Sequence, residues 1–289
     1  FNEDKYPSTT ISMEIFIKHL ELIEKQKVNF INPNNFKLSF NTPKEKKEIL
    51  LTIDDGFTSF YENAWPYLKE KKIPFILFIS TEAVGNFGYM SWSQIKEIEK
   101  EEFAFIGNHS HSHEYLIEYD FNKFKKDIDL SIEIFKKNLG YNPIFFSYPF
   151  GEYSLEQEKY ISSKFDFGFG QHSGIIDVNK EKYELPRFPI NEKYGDLERF
   201  NFLLKLSPLE YKSIIPKDKY ILQSKNPPET IIEFFEEQKN LERINCFSDE
   251  GNKWDKSKLK LVKNKLHIKF RDKFNFRRGR INCSLNDDN

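Results

Sequence analysis

The stretch Ile49-Leu-Leu-Thr-Ile-Asp-Asp-Gly56 decides how the rest of the chain is interpreted, because an apolar run leads directly into two carboxylates and a glycine. A short continuous apolar run is typical of a strand that is buried on both faces. Adjacent side chains of a strand point to opposite faces, so a bend after the strand is needed to bring Asp54 and Asp55 to one rim. Glycine permits such a bend. Alone, the Asp-Asp-Gly string is also ordinary turn sequence.

Outward from this stretch, strand-like and helix-like segments alternate up to about residue 205. Helical spacing predicts a helix capped by Ser12 and helices over residues 61–71, 92–100 and 122–139. Apolar runs predict strands at residues 49–53, 75–80, 103–106, 144–148, 165–169 and 185–190. Apolar strands alternating with helices indicate parallel βαβ units with the helices outside. Open doubly wound sheets and closed barrels share this pattern, and both collect functional loops at the carboxyl ends of the strands.

The chain changes character after residue 205. Four prolines between residues 208 and 228 indicate a linker over residues 206–228. Short alternating runs then predict a small, incomplete, sandwich-like β domain over residues 229–289. Residues 251–280 contain twelve Lys or Arg and two Asp. Two interpretations stay open: lysines that keep edge strands from pairing with other sheets, or a surface that contacts an anionic surface or a polysaccharide.

Composition excludes several classes of protein. The 44 basic and 45 acidic residues nearly balance, which excludes a globally basic nucleic-acid binder. The longest strongly apolar stretch, residues 74–79, is far shorter than the ~18 residues of a membrane-spanning helix. The chain begins at Phe1 without a secretory-signal pattern, so we expect it to be a trimmed segment whose leader is not included.

The two cysteines lack the spacing of a zinc or redox site. One disulfide would fit an exported protein and two thiols would fit a cytosolic one. We expect Cys246 and Cys283 to lie close enough to bridge within the β domain.

A histidine cluster follows one of the predicted strands. In Asn108-His-Ser-His-Ser-His113, three of the six histidines of the chain lie within five positions. Imidazoles this close repel one another when protonated, so the cluster is favoured around a divalent cation. Two histidines and one carboxylate leave open positions on a zinc-like ion, as in a hydrolytic centre. The residue pattern leaves the choice of pair open, and a mobile histidine-rich loop is the alternative.

A third motif, Phe145-Phe-Ser-Tyr-Pro-Phe-Gly151, runs from a strand into a turn whose main-chain N–H groups would face a developing oxyanion. The position of this motif along the chain is what makes it informative. The acid pair, the histidine cluster and this aromatic turn each end a predicted strand, so we expect them to meet at one edge of the sheet.

Together these motifs resemble those of the polysaccharide deacetylases, carbohydrate esterase family four. The family's Thr/Ser-Phe-Asp-Asp-Gly and His-Ser/Thr-x-x-His strings are present as Thr52-Ile-Asp-Asp-Gly56 and His109-Ser-His-Ser-His113. Its Arg-Pro-Pro-Tyr/Phe-Gly string is similar to Ser147-Tyr-Pro-Phe-Gly151. The resemblance covers about residues 5–205. The opening Tyr6-Pro-Ser-Thr9 looks like the exported bacterial poly-N-acetylglucosamine-type deacetylases, which implies export to the periplasm or the cell exterior.

This resemblance implies a distorted (β/α) barrel of about seven strands over residues 1–205. It implies that Asp55, His109 and His113 bind one divalent metal ion, with zinc favoured, and that Asp54 is the general base. The implied reaction removes acetyl groups from a polysaccharide, with an N-acetylglucosamine-type polymer favoured. His111 is then expected beside the ligands or facing solvent.

Two positions depart from the family pattern. Ser147 stands where an arginine usually orients the base, and Arg187 is our candidate for that task. No Leu-x-His string follows Arg187 to supply the general acid, and His172 is our candidate. Trp92, Tyr148 and Phe150 are candidates for the substrate site, as rings that stack on sugars, with the backbone around Phe150 at the oxyanion.

Two other functions stay open at this point. One is a catalytically impaired barrel that binds metal and glycan without turnover. The other is hydrolysis of small cyclic amides on the same fold. The intact Asp54 argues against the first, because a binding site has no need of a base.

Overall fold

A computed structural model describes residues 1–2, 8–40, 46–251 and 253–286 of the chain. Tyr6 and Pro7 of the opening motif lie outside these described residues. The chain divides into two compact units, Phe1–Leu206 and Ser207–Asn289.

The first unit is built on a curled parallel sheet of five strands that forms a half-barrel. The strands of this unit are β1 (Asn29–Phe30), β2 (Glu48–Ile49), β3 (Leu51–Ile53), β4 (Phe75–Ile79), β5 (Ala104–Asn108), β6 (Phe145–Ser147) and β7 (Phe167–Phe169). The five-stranded sheet has the order β3-β4-β5-β6-β7, and β1 pairs with β2 in a separate parallel sheet. All carboxyl ends of the five strands therefore lie at the same edge.

Helices connect these strands, as the alternation predicted. They are α1 (Met13–Lys25), α2 (Pro33–Ser39), α3 (Trp65–Lys71), α4 (Trp92–Glu99), α5 (Phe121–Leu139), α6 (Leu155–Ser162) and α7 (Leu197–Lys205). The Ser12 side chain caps α1 by accepting from the Ile15 N–H, and Ser91 forms a capping box with Gln94 at α4. Gly140 ends α5 in the left-handed conformation. In the part of the chain that the structure describes, no helix is both long and apolar enough to cross a membrane.

Both faces of the half-barrel sheet are covered, which explains why its strands are apolar rather than alternating. In β4 every residue is buried: Phe75, Leu77 and Ile79 join one apolar cluster with α1 and α3, and Ile76 and Phe78 join another. That second cluster includes Phe36 of α2, whose ring centroid lies 5.1 Å from that of Phe167. Burial of this apolar area provides the main stabilisation of the unit.

Two strand predictions need correction. The strand predicted over residues 49–53 is divided at Leu50 between β2 and β3, which lie in different sheets. The strand predicted over residues 185–190 is wrong, since only Leu185 forms a bridge, to Phe169. Pro186 and Pro189 lack the N–H groups that a continued ladder requires. A barrel of about seven strands stays a prediction beyond the five-stranded sheet.

The second unit consists of antiparallel strands: β8 (Ser213–Ile215), β9 (Thr230–Glu233), β10 (Ile244–Asp249), β11 (Trp254–Lys256), β12 (Lys258–Val262), β13 (Lys265–Lys269) and β14 (Arg280–Leu285). They form two sheets, with the orders β12-β13-β9-β8 and β11-β10-β14, around a shared apolar cluster. The predicted linker over residues 206–228 is wrong in part, because β8 pairs with β9. Cys246 and Cys283 face each other on β10 and β14 and form a disulfide with a Cα–Cα distance of 4.1 Å.

A buried carboxylate joins loops of this second unit. Glu250 is only 6% exposed, and its carboxylate accepts hydrogen bonds from the Arg271 guanidinium, the Arg271 main chain and the Ser248 hydroxyl. Burial acts to raise the pKa of Glu250, but these hydrogen bonds outweigh burial and lower the pKa from 4.5 to about 2. The carboxylate is therefore ionised in the folded chain well below neutral pH.

We expect Glu250→Gln to lower the free energy of unfolding at pH 7 by about 1–3 kcal/mol, because hydrogen bonds to a buried charge are lost. The pKa in the folded state lies below the ordinary value, so this stabilisation is full above pH 4.5 and declines as the pH falls toward about 2. Urea unfolding followed by circular dichroism at several pH values measures it, with the exposed Glu242→Gln as the matched control. A difference that stays constant down to pH 2.5 would contradict this prediction.

Candidate active site

A tight turn after β3 brings both carboxylates of the acid pair to the carboxyl edge of the sheet. Asp55 and Gly56 have φ values of 74° and 73°, in the left-handed region that favours glycine. A Cβ atom on Gly56 would lie 2.6 Å from Cδ1 of Ile79, so a larger residue would also have to displace the end of that side chain. This bend is the one that the sequence required for Asp54 and Asp55 to share a rim.

Three ligand-type atoms meet at this edge. Oδ1 of Asp55 lies 3.2 Å from Nε2 of His113 and 3.6 Å from Nε2 of His109, and the two Nε2 atoms are 3.2 Å apart. A tetrahedral ion with bonds of ~2.0–2.2 Å separates its ligand atoms by about 3.4 Å. The triangle therefore has the dimensions and the donor types of a divalent cation site with positions left open.

His109 is oriented by a hydrogen bond from the ring nitrogen that lies outside the triangle. Its Nδ1 lies 2.7 Å from the main-chain oxygen of Ser147, so Nδ1 donates its proton there. Burial lowers the pKa of His109, which is fully enclosed, and the ring is neutral. The lone pair of Nε2 then points into the triangle. Burial also acts to lower the pKa of His113, but Asp55 outweighs it and raises that pKa.

The loop from His109 to His113 is bent so that two residues four positions apart reach one point. Ser110 and His113 both have positive φ, at 71° and 53°. Non-glycine residues rarely adopt this conformation, and it persists where surrounding contacts impose it. His111 lies outside the triangle, with its Nδ1 2.9 Å from the hydroxyl of Thr81, in agreement with the expectation that it lies beside the ligands.

Helix α5 supplies contacts that hold this loop, and the sequence reasoning missed them. The carboxylate of Asp127 accepts from the main-chain N–H groups of His111 at 2.9 Å and Ser112 at 3.1 Å. One turn later, Ser131 is hydrogen-bonded at 2.8 Å to the side chain of Asn108, which also accepts from the N–H of Ser110. A signal was present, since Asp127 and Ser131 are polar residues on the apolar, buried face of an amphipathic helix.

Arg187 forms a bidentate ion pair with Asp54, the other carboxylate of the acid pair. Its guanidinium donates to both oxygens of Asp54, at 2.7 and 2.9 Å. The same group donates to the hydroxyls of Thr52 and Ser147 and to the main-chain oxygen of Gly170. Burial acts to raise the pKa of Asp54, but the charge and hydrogen bonds of Arg187 outweigh burial and lower the pKa from 3.8 to about 2.

Ser147 and Arg187 together account for the departure in the third motif. Ser147 is fully buried at the place where the family usually has an arginine, and its short side chain accepts from Arg187 at 2.9 Å. Arg187 follows β7 in the chain. It lies on the segment whose Leu185 forms a bridge to Phe169. The structure therefore places Arg187 against Asp54 as the sequence reasoning proposed.

The three aromatic candidates have different surroundings. The expectation that the Tyr148 ring stacks on sugar is wrong, because Tyr148 is only 1% exposed and is stacked on Tyr153 at a centroid distance of 4.3 Å. Its main-chain N–H donates to Phe169, so it does not face an oxyanion either. The half-buried Trp92 packs edge-on against Phe135, and a sugar role for it stays a prediction.

Phe150 and His172 lie at the loops around the site. The ring of Phe150 lies 5.0 Å from that of His113, and the residue has a φ of 57°. His172 is exposed, and its main-chain oxygen accepts from the N–H of Arg187 at 3.0 Å. This contact links the His172 loop to the residue that holds Asp54. Its role as general acid stays a prediction.

The fold and the site define an α/β half-barrel with two imidazoles and an acid pair at the carboxyl edge of its sheet. Residues 41–166 match the sequence model of the polysaccharide deacetylase family. The chain therefore carries a polysaccharide deacetylase domain, and the resemblance recognised in its motifs is confirmed.

Individual relatives agree with this assignment. The chain is 24% identical over 211 residues to the poly-beta-1,6-N-acetyl-D-glucosamine N-deacetylase of Staphylococcus aureus strain MRSA252, covering 68% of this chain and 71% of the relative. Among solved structures, IcaB from Ammonifex degensii matches with a TM-score of 0.60 and 23% identity, over 71% of this chain and 93% of that chain. The Streptococcus pyogenes deacetylase PplD in complex with acetate matches with a TM-score of 0.61 and 20% identity, over 68% and 88%. These two structures show the same fold.

We expect Asp127→Asn to weaken zinc binding by about 10- to 100-fold, as other substitutions behind metal ligands do. The amide replaces one acceptor oxygen with a donor that opposes a main-chain N–H, so the histidine loop loses its support. Competitive titration with a chromophoric chelator measures the affinity. Asp129→Asn, on the same helix and outside the loop contacts, is the matched control. Equal zinc affinity in the wild type and both variants would show that α5 does not position the loop.

Proposed function

We propose that this chain is a metal-dependent hydrolase that removes acetyl groups from a polysaccharide, and that it acts on nitrogen in an N-acetylglucosamine-type polymer. One observation carries the proposal. Arg187 donates hydrogen bonds to both oxygens of the Asp54 carboxylate. This carboxylate lies beside the triangle of Asp55, His109 and His113. Its Oδ2 is 3.9 Å from Nε2 of His109. A base and a set of metal ligands thus share one rim.

The triangle is the part of the site that would hold the cation. Its imidazole and carboxylate donors suit zinc, and three protein ligands leave positions for water and substrate. When bound, such an ion supplies Lewis acidity toward water and toward the acetyl carbonyl. Asp55, His109 and His113 contribute by fixing where that acidity acts.

Asp54 acts as the proton acceptor. With a pKa of about 2 it is ionised at every pH near neutrality, so it is always ready to accept. A carboxylate of such low pKa is a weak base, and it therefore needs an acidified water as its partner. Arg187 holds both oxygens of Asp54 in place, so the proton is accepted at a constant position relative to the triangle.

The remaining steps use the loops around the triangle. Phe150 lies in a left-handed turn, and its ring lies 5.0 Å from that of His113, so we assign the backbone of this turn to the oxyanion of the acetyl group. His172 is our candidate to protonate the departing sugar amine, on a loop hydrogen-bonded to Arg187. Release of acetate and the free amine completes the reaction.

The substrate class rests on the relatives. The Staphylococcus aureus relative is named as a deacetylase of poly-beta-1,6-N-acetyl-D-glucosamine, and we extend that substrate class to this chain. We also propose that the chain works outside the cytoplasm. The disulfide between Cys246 and Cys283 supports this location, because such bonds persist in oxidising compartments.

We expect Asp54→Asn to lower the rate of acetate release by about 100- to 10,000-fold while zinc binding is kept, because the base is lost and the ligands are not. Acetate release from zinc-loaded protein on acetylated β-1,6-linked glucosamine oligomers measures the rate, with Asp129→Asn as the control. Wild-type protein that binds the oligomer without releasing acetate would indicate the impaired, glycan-binding barrel. Turnover of cyclic amides alone would indicate the other hydrolase.

We expect Arg187→Lys to lower kcat by about 100-fold with a much smaller change in KM. Lysine keeps the positive charge but cannot form bidentate hydrogen bonds to the two oxygens of Asp54. The carboxylate that acts as the base is then no longer held in position. Arg199→Lys, on α7, serves as the control for a change of the same type. A rise in KM with unchanged kcat would show instead that Arg187 contacts substrate.

A further inference from the structure

The second unit has a sheet face on which exposed lysines lie close together, two of them directly opposite each other. In the antiparallel pair of β12 and β13, Lys258 is directly opposite Lys269, and Lys260 is opposite His267. The three lysines are exposed and His267 is half-buried. Directly opposed side chains have Cβ atoms about 5 Å apart, where like charges destabilise a sheet. The arrangement therefore lowers stability without a ligand, which calls for another explanation.

Protection of sheet edges explains why lysines occur here, but it does not require two of them to lie directly opposite each other. Lysines on an edge strand such as β12 prevent pairing with other sheets. Strand β13 lies between β12 and β9, but its pairing with β9 ends at Ile268, so Lys269 stands just beyond the covered stretch.

Nearby carboxylates do not neutralise the face. Glu233 forms ion pairs with Lys212 at 3.2 Å and Lys265 at 3.6 Å, at one end of the face. No carboxylate of the described residues forms an ion pair with Lys258, Lys260 or Lys269. These three charges are thus available to an external anion.

The same residues line a depression in the surface. A groove of about 310 Å³ is lined by Lys258, Lys260, His267 and Lys269 together with three apolar residues of the same two strands. A concave groove can receive a linear chain, whereas a flat bilayer surface does not enter it. Lysine ammonium groups act as compact positive charges toward anionic groups of any orientation.

We infer that this groove, which we call the β12–β13 groove, binds a linear acidic polysaccharide. The deacetylase domain on the same chain indicates a protein that works among glycan polymers. The product of the proposed reaction carries ammonium groups, so this positive groove repels that product and its ligand is a different polymer. The interaction would hold the chain within an anionic glycan matrix, and it does not depend on whether the site in the first unit turns over.

Binding of fluorescently labelled polygalacturonate to the full chain tests the inference. We expect binding at low ionic strength that weakens as sodium chloride is added. The triple variant Lys258→Gln, Lys260→Gln, Lys269→Gln should bind roughly tenfold more weakly, because three weak, exposed charge contacts are lost. Because all three side chains are exposed, circular dichroism should show the variant folded.

Controls separate this inference from general charge effects and from the proposed function. Lys126→Gln, Lys136→Gln, Lys137→Gln removes three exposed charges from α5 and should leave binding unchanged. Acetate release from a short neutral substrate should be equal in the wild type and in both triple variants.

The inference is overturned if the two triple variants lose binding equally, or if wild-type protein does not bind polygalacturonate. It is also overturned if vesicles of anionic phospholipid or duplex DNA are bound more tightly than the polysaccharide.

Discussion

Two carboxylates that are neighbours in the chain must share one rim of the sheet, and this constraint shapes the rest of the site. A strand would send Asp54 and Asp55 to opposite faces. The left-handed turn at Asp55 and Gly56 prevents that, and a side chain at Gly56 would meet the end of Ile79. The parallel order of β3, β4 and β5 then brings the histidine loop to the same edge.

Once the two carboxylates are together, their partners give them different tasks. Arg187 neutralises and aligns Asp54, while Asp55 faces two imidazole nitrogens and forms no ion pair with a lysine or arginine of the described residues. Close grouping of a carboxylate with two imidazole lone pairs is best satisfied by a cation. One acid is thereby suited to accept a proton and the other to bind a metal, although the sequence shows only Asp-Asp.

The second unit is held by different means. It has a small apolar cluster, a disulfide between facing strands and the buried Glu250 with its arginine partner. Small units with little apolar area commonly depend on such additional links. The β12–β13 groove differs from these stabilising contacts, because lysines that form no ion pair with the described residues lie opposite one another there. A surface that lowers stability is more readily explained by binding than by folding.

By itself the sequence determined the parallel α/β class, the positions of β3 to β7 along the chain, and the acids and histidines at strand ends, because period and local turn chemistry are local properties. The resemblance of three motifs pointed to Asp55, His109 and His113, and the structure shows that these three side chains lie together. Only the tertiary structure decided that Tyr148 is buried, that the strand pattern stops at Pro186, and that residues 213–215 join a sheet. It also revealed the support of Asp127 for the histidine loop and showed Arg187, 133 positions beyond Asp54, in its ion pair. Contacts between distant segments depend on how whole elements pack, and no local pattern records them.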